Sequence, residues 1–343
     1  MGAANAPATL ARAMPTAVHD DPAAFAALAL KWRALLDRDP AASVFHTPHY
    51  LATWWLEFGA GLEPRIVEIG DGDDLRGVAA LALSPDGTMS FAGDHDTTDY
   101  RGPVSAPEDR EEVAASVLAA VAGDTWDTFE MDGLSADSGW VEALTSAAKD
   151  AGYSVSETAH EACPRATIPG ASYDAYLASL PGKLRHEIVR KARRLERDAG
   201  AFAVRLATEA TLDDDLEKFF GMHRSSTGPK GRFMHEGMAT FFGSFAWMLF
   251  SQGWLRLALL EIDGEAWAGV YAFRYGDSWD VWNSAFDHAR RELAPGMVLM
   301  GECIRLAAEE GCTTFDFLRG TEPYKYRFGA VDVPLIRLTV ERG

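Results

Sequence analysis

The sequence predicts an α/β protein made of two copies of one unit, each a mixed, mainly antiparallel sheet flanked by helices. One observation is that the order of predicted helices and strands in residues 19–168 recurs in residues 169–343. Matching elements lie roughly 190 residues apart, which is domain-sized and far longer than a solenoid repeat. The other is a length of 343 residues with 48% hydrophobic residues, which can build two cores.

Hydrophobic periodicity and turn residues place the elements of the first half, after a flexible lead of residues 1–18. In chain order they are a helix capped by Asp20 or Asp21 that ends near Arg38, a helix at His49–Phe58, strands at Pro64–Ile69, Leu75–Leu83 and Met89–Phe91, a helix at Glu108–Ala122, a strand at Trp126–Met131, a helix at Ser138–Ala151, and strands at Tyr153–Ser156 and Arg165–Ile168.

The second half repeats this order, with hairpin turns at Asp263-Gly264 and Gly276-Asp277. Its elements are helices at Leu212–Arg224 and Glu236–Ser251, strands at Leu255–Ile262, Glu265–Tyr275 and Ser278–Phe286, a helix at Met297–Glu310, a strand at Thr313–Leu318, a short helix at Glu322–Phe328 and a strand at Val333–Val340.

Composition narrows the partners of the chain. Its formal charge of −19 argues against general binding to DNA or to anionic membranes. No run approaches the ~18 apolar residues that a membrane span needs, so we expect no stable membrane insertion. The three cysteines form no CxxC pair, which is typical of the reducing cytoplasm. His46 and His49 could form a metal site with the Asp94-His95-Asp96 cluster and Asp99, but nothing in the sequence brings them together, and no metal is expected.

One dense basic cluster stands out in this acidic chain. Residues 183–199 predict a helix with Leu184, Ile188 and Leu195 on one face and arginines on the other. Arg190 and Arg194 could hold an anionic acceptor, a CoA phosphate or a tRNA acceptor stem. The alternative is a solvated helix face, which is what most charge runs are.

A strand, a tight loop and a helix meet at Ala294-Pro295-Gly296. Small residues let a backbone approach phosphate, and a helix N-terminus favours negative charge, so the segment from Arg291 to Val298 predicts an anion site. Pro295 removes one N–H donor and weakens that reading. The alternative is a plain connection in which Pro-Gly marks the start of the helix.

The strand after this helix ends in Asp316, followed by Tyr324 and Lys325. Asp316 could act as a base for an amine, Tyr324 could protonate a departing thiolate, and Lys325 could pair with phosphate or carboxylate. The alternative for Asp316 is a structural salt bridge to Arg319 or Lys325, because a half-buried carboxylate needs a partner.

These segments together resemble a known family. The strings PGMVLMGECIRLAAEEGCTTFDFLRGTEPYKYRFG, KLRHEIVRKARRLERDAG and HTPHYLATWW are similar to GNAT-fold acyltransferases associated with cellulose biosynthesis, a group related to the Fem-type peptidyl transferases. The resemblance covers roughly residues 20–340. It implies two tandem GNAT-like (acyl-CoA N-acyltransferase) domains, at 19–168 and 169–343, the first of them degenerate.

The resemblance also implies acyl transfer from acyl-CoA, such as acetyl-CoA, to an amine or hydroxyl of a small-molecule or amino-acid-like acceptor. Arg291-Glu292-Leu293-Ala294-Pro295-Gly296 approximates the Q/R-x-x-G-x-G/A loop that binds pyrophosphate, with Ala294 in place of the first glycine. The phosphates would then lie on Gly296, Met297 and Val298.

Near the reacting carbonyl, backbone N–H groups from Asn283 to Ala285 would hold the carbonyl oxygen. Tyr100, His223 and Arg224 are the candidate acceptor contacts besides the basic helix.

Two alternatives stay open. Fem-type relatives take their acyl group from aminoacyl-tRNA, which the basic helix favours and the net charge of −19 opposes. A degenerate, non-catalytic binding module would fit the departures at Ala294 and Pro295. An acyl-CoA-dependent N-acyltransferase of the cytoplasm is the interpretation that the whole pattern favours.

Overall fold

The chain divides into two compact units. A computed structural model describes residues 14–72, 74–226 and 229–342. Unit 1 consists of two segments, one up to His160 and one from Pro334 onward, and unit 2 spans Glu161–Val333. The predicted lead falls mostly outside the described residues, since only its last few positions are included.

Helices and strands follow one another largely in the order that the sequence predicts, often in runs of two or more of the same kind. Up to the unit boundary they are β1 (Thr16–His19), α1 (Ala24–Ala27), α2 (Ala29–Leu36), α3 (Pro48–Phe58), β2 (Glu63–Asp71), β3 (Asp74–Leu83), β4 (Thr88–Phe91), β5 (Val104–Ser105), α4 (Arg110–Ala120), β6 (Thr128–Ser135), α5 (Trp140–Asp150) and β7 (Ser154–Thr167).

The rest of the chain again contains runs of helices and runs of strands. Its elements are α6 (Tyr173–Ser179), α7 (Gly182–Ala199), β8 (Phe202–Leu206), α8 (Leu212–Arg224), α9 (Pro229–Phe233), α10 (Glu236–Ser251), β9 (Leu255–Ile262), β10 (Glu265–Tyr275), β11 (Ser278–Phe286), α11 (Pro295–Glu309), β12 (Thr314–Asp316) and β13 (Val331–Glu341).

The sheet of unit 1 has the order β1-β2-β3-β4-β6-β13, with β5 beside β3. Its pairs are antiparallel except β4 with β6, which is parallel. Alternating apolar residues of these strands pack under α4 and α5. Residues 77–83 of β3 are all buried and β3 also contacts α2, so this sheet is covered on both faces.

The sheet of unit 2 has the order β7-β12-β11-β10-β9-β8. Here too one pair, β11 with β12, is parallel and the other pairs are antiparallel. Helix α11 buries Leu299, Cys303 and Ile304 against this sheet, and Ile188 of α7 packs in the same core. Cys303 is fully buried, and burial raises the pKa of its thiol, which fits a packing role. The predicted fold class, mixed and mainly antiparallel sheets flanked by helices, is confirmed.

Two elements differ from the prediction for identifiable reasons. Strand β12 ends at Asp316 instead of Leu318, because Leu318 takes a left-handed conformation with φ 52° and the chain turns there. Strand β7 is continuous where the sequence predicts two short strands. Its middle, residues 157–164, is polar and contains Pro164, so local pattern does not mark it as a strand.

The compact units are drawn differently from the predicted domains 19–168 and 169–343. From Leu335 onward β13 pairs with β6, so the last segment of the chain belongs to unit 1. A prediction from element order assigns each segment to its sequence neighbours and has no means of detecting this return.

Candidate functional site

Strands β11 and β12 part in the middle of the sheet of unit 2. They pair in parallel over Ser278–Asp280 and Thr314–Asp316 only, whereas β11 stays paired with β10 as far as Phe286. At Trp282 the register with β10 shifts by one residue, a β-bulge. One edge of β11 from Val281 onward therefore carries backbone groups that β12 does not occupy.

A cavity of about 800 Å³ lies beside this edge, which is the size of a typical small-molecule site. Its wall combines the end of β11, the start of α11 and the segment after β12. The lining residues are Lys191, His223, Phe233, Gly269, Val270, Val281, Trp282, Asn283, Ser284, Ala285, Phe286, Arg291, Ala294, Gly296, Met297, Met300, Phe317, Arg319, Glu322, Tyr324, Lys325 and Arg327.

The start of α11 forms one wall. Ala294 takes a left-handed conformation (φ 52°, ψ 48°), which glycine adopts without strain. A Cβ on Gly296 would come 3.3 Å from Phe286 Cδ1, so the loop passes close to β11. In the sequence, Ala294 departs from the first glycine of the Q/R-x-x-G-x-G/A pattern. In the structure, its backbone nevertheless has the left-handed conformation that a glycine favours.

The same turn supplies few free N–H donors. Pro295 has none, and the N–H groups of Met297 and Val298 donate to Ala294 O at 3.1 and 3.2 Å. Gly296 also lines the cavity, and its N–H takes no part in these two bonds. An anion here must therefore rely on side chains as well as on the helix dipole.

Basic side chains supply that charge. Lys191, Arg291, Arg319 and Arg327 all line the cavity of this acidic protein. Arg291 is 73% exposed and meets only the exposed Glu292, at 3.4 Å. Helix α7 thus contributes to the cavity through Lys191, a residue that the sequence analysis did not single out.

Tyr324 faces the same space. The Ser284 side chain lies close to its hydroxyl, and both residues line the cavity. Burial, and then the negative charge of Glu322, raise the pKa of Tyr324 well above its ordinary value, while the neighbouring Ser284 side chain lowers it. The phenol is therefore protonated at neutral pH and can donate.

Lys325 has a structural role instead of the predicted phosphate contact. Its side chain is buried, and Nζ donates to the carbonyl oxygens of Leu318, Arg319 and Gly320 at 3.0, 2.8 and 2.8 Å. Glu322 Oε2 lies 3.0 Å from Nζ. The ammonium group thereby holds together the turn that follows β12.

Asp316 also departs from its predicted role as base. It is 3% exposed, does not line the cavity, and accepts from Arg165 Nε at 2.8 Å and from the N–H of Leu318 at 2.7 Å. The structural alternative holds, and a partner is Arg165 of β7, which the sequence analysis did not name. Locked on two sides, the carboxylate fixes the end of β12.

Asp316→Asn should therefore lower stability more than chemistry. We expect a loss of about 1–2 kcal/mol in the free energy of unfolding, because the bond to Leu318 survives while the charge pair with Arg165 is lost. The value of kcat should stay within about threefold of wild type. Urea unfolding and steady-state kinetics measure the two, and a kcat that falls 100-fold at unchanged stability would restore the predicted base.

His223 and Asn283 meet at the floor of the cavity. His223 is 1% exposed at the end of α8, and its Nε2 lies 3.1 Å from Asn283 Oδ1. The N–H of Ser284 donates to the same oxygen at 2.8 Å, so it is not available to a substrate carbonyl as predicted. Ala285 is buried on β11 and paired with Gly269 of β10.

The other predicted acceptor contacts lie away from this cavity. Arg190 and Arg194 are exposed on α7, and Arg194 pairs with Asp198 at 3.4 Å. Arg224 packs over Phe220 and lines a separate cavity between α8 and α10. Tyr100 is buried in unit 1. Helical spacing puts a residue on a face, but it does not say which face reaches a site.

Comparison with known proteins gives the fold its name. Residues 182–326, which contain every lining residue of the cavity except Arg327, match the model of the acetyltransferase (GNAT) domain. The fold is GNAT-like. No curated protein sequence matches this chain.

Three solved structures illustrate the likeness of the whole GNAT-like chain. The crystal structure of FemX is 14% identical with a TM-score of 0.65, covering 94% of this chain and 97% of that one. The C-terminal domain of a lysylphosphatidylglycerol synthetase from Agrobacterium fabrum is 13% identical with a TM-score of 0.59, and the match covers 94% of this chain and 93% of that one.

A tandem GNAT protein of clavulanic acid biosynthesis is 10% identical with a TM-score of 0.51, and the match covers 95% of this chain and 98% of that one. Identities this low establish the fold alone. The narrower resemblance to cellulose-associated enzymes stays a prediction.

Two searches of the described residues give negative findings. None of the helices in that part of the chain is long and apolar enough to cross a membrane. Nor do three or more His, Cys, Asp or Glu side chains come together there in a group that could hold a metal ion.

Proposed function

We propose that this protein is an acyltransferase that moves an acyl group from acyl-CoA to an amine. The observation that carries the proposal is the parting of β11 from β12 beside a cavity lined by Tyr324 and the start of α11. A thioester arm entering this gap would bring its carbonyl next to β11 and its sulfur next to Tyr324.

The wall of the cavity fits the phosphates of the donor in a particular way. Gly296 offers a backbone N–H at the positive end of a 15-residue helix. Arg291, with only an exposed partner, offers a guanidinium group. Since Pro295 and the back-bonded N–H groups reduce the backbone contribution, we assign a larger share of phosphate affinity to Arg291 than a glycine-rich loop would need.

The chemistry follows from two side chains. The neutral amine attacks the thioester carbonyl carbon, and a C–N bond forms as the C–S bond breaks. Tyr324 donates its proton to the departing sulfur. Among the described lining residues Glu322 is the carboxylate, 56% exposed, and we assign to it the proton lost by the amine. Return of that proton to Tyr324 through solvent completes the cycle, leaving an amide and a thiol.

Binding of CoA tests the donor. Isothermal titration calorimetry with CoA should show one site on the wild type, and Arg291→Ala should weaken it about tenfold, the worth of one exposed charge-assisted contact. Arg193→Ala, at an exposed position of α7 outside the cavity, is the matched control and should bind like wild type. Absence of CoA binding to the wild type would refute the donor assignment.

An aminoacyl-tRNA donor is the second candidate, and one observation favours it. Arg190 and Arg193 of α7 are exposed, on the helix that also sends Lys191 into the cavity. A tRNA ligand would show affinity that falls steeply with salt and falls further in an Arg190→Glu, Arg193→Glu double variant. No tRNA binding at low salt, together with CoA binding, would leave acyl-CoA as the donor.

A further inference from the structure

The side-chain amide of Asn283 has a fixed orientation. Its Oδ1 accepts the backbone N–H of Ser284, and a backbone N–H can only donate, so this atom must be the oxygen. The ring nitrogen of His223 that touches the same oxygen must then be a donor as well. His223 therefore carries a proton on Nε2, whichever charge state it has.

This arrangement leaves the NH₂ group of Asn283 as a donor. Asn283 is partly exposed and lines the cavity, and within the described part of the chain its two hydrogen bonds both end on Oδ1. Since the N–H of Ser284 is taken, the amide of Asn283 is placed to do what that backbone group cannot. Its register opposite Tyr271, next to the bulge at Trp282, puts it on the stretch of β11 that has left β12.

We propose that Asn283 is the oxyanion donor of this site and that His223 is the positioning residue that aims it. The inference rests on the proposed acyl transfer. As the amine attacks, negative charge grows on the acyl oxygen, and the Asn283 NH₂ group donates a hydrogen bond to it. No bond to Asn283 or His223 forms or breaks.

The surroundings of His223 suit a positioning role. Its ring packs near Phe219 and Phe233, at 6.1 and 6.0 Å between centroids, so the imidazole has little freedom. Since the Nε2 proton is present in both the neutral and the charged ring, the hold on Asn283 does not depend on pH. A glutamine at this position keeps an N–H donor, whereas an alanine does not.

Kinetics with acetyl-CoA and a panel of primary amines tests the proposal. Asn283→Ala and Asn283→Asp, which both lack the NH₂ donor, should lower kcat about 100-fold and leave the Kd for CoA within about threefold. His223→Ala should lower kcat at least about tenfold, and His223→Gln should recover most of that loss. The ratio of the wild-type kcat to the His223→Gln kcat should be constant between about pH 5 and 8.

The outcomes distinguish a failure of this inference from a failure of the proposed acyl transfer. If the wild type binds CoA and acylates an amine while both Asn283 variants keep wild-type kcat, the oxyanion assignment is wrong and acyl transfer stands. If His223→Gln is as impaired as His223→Ala and loses the acidic limb of the pH profile, His223 is a base and the positioning role is wrong. If the wild type neither binds CoA nor transfers an acyl group, the proposed function itself fails.

Discussion

Tyr324→Phe is expected to lower kcat about 100-fold and to leave the affinity for CoA unchanged. A positioned general acid contributes about 10²–10⁴-fold, and the substitution removes one hydroxyl while keeping the ring. Burial and Glu322 raise the pKa of this phenol, so at neutral pH it is a proton donor whose loss is felt fully. Steady-state kinetics with acetyl-CoA, together with calorimetry of CoA, measures both quantities.

Tyr326→Phe is the matched control for that experiment. Its hydroxyl donates to Asp332 at 2.7 Å and it does not line the cavity, so the same chemical change two residues away should leave kcat within about twofold. Equal effects of the two substitutions would remove Tyr324 from the reaction.

Lys325→Met should destabilise unit 2 by about 3 kcal/mol. Methionine fills a similar volume, but it leaves three neighbouring carbonyl groups without the ammonium that joins them. Gly320 lies in this turn at φ 106°, a backbone conformation that other residues rarely adopt, so the turn depends on a specific backbone geometry. Urea unfolding, and hydrogen exchange of residues 316–325, report the loss.

Two controls separate the carbonyl bonds from simple loss of charge. Lys183→Met removes an exposed lysine of α7 and should change stability by less than about 0.5 kcal/mol. Glu322→Gln removes the ion pair of Lys325 but keeps its three carbonyl bonds, and its cost should stay below about 1 kcal/mol because the carboxylate is 56% exposed. A Lys325→Met protein as stable as Lys183→Met would contradict the structural role.

The sequence carries local information about this fold clearly. Gly311 follows the end of α11 as predicted, Pro295 begins it two residues before the predicted Met297, and the Asp263-Gly264 and Gly276-Asp277 turns place three strands to the residue. These features are local, because a proline start, a glycine stop and a hairpin turn each depend on a few neighbouring residues. Strand β8 and helix α6 are short and were not predicted.

The roles in the site needed contacts that no local pattern records. Asp316 looks like a base until Arg165, 151 residues away, is seen to hold it. His223 and Asn283 are 60 residues apart and meet through one hydrogen bond. Tyr324, predicted as a proton donor to the leaving thiolate, lines the cavity, whereas the ammonium group of its neighbour Lys325 binds three backbone carbonyl groups of the turn. Adjacent residues on a turn can face opposite ways, so their spacing alone does not assign their tasks.

The return of β13 to unit 1 has a consequence for how the chain is made. Every residue of unit 2 leaves the ribosome before the strand from Leu335 that pairs with β6. Unit 1, although begun first, must therefore wait with one strand position open until this strand emerges. Chaperone dependence during translation should accordingly fall on the N-terminal half of the chain.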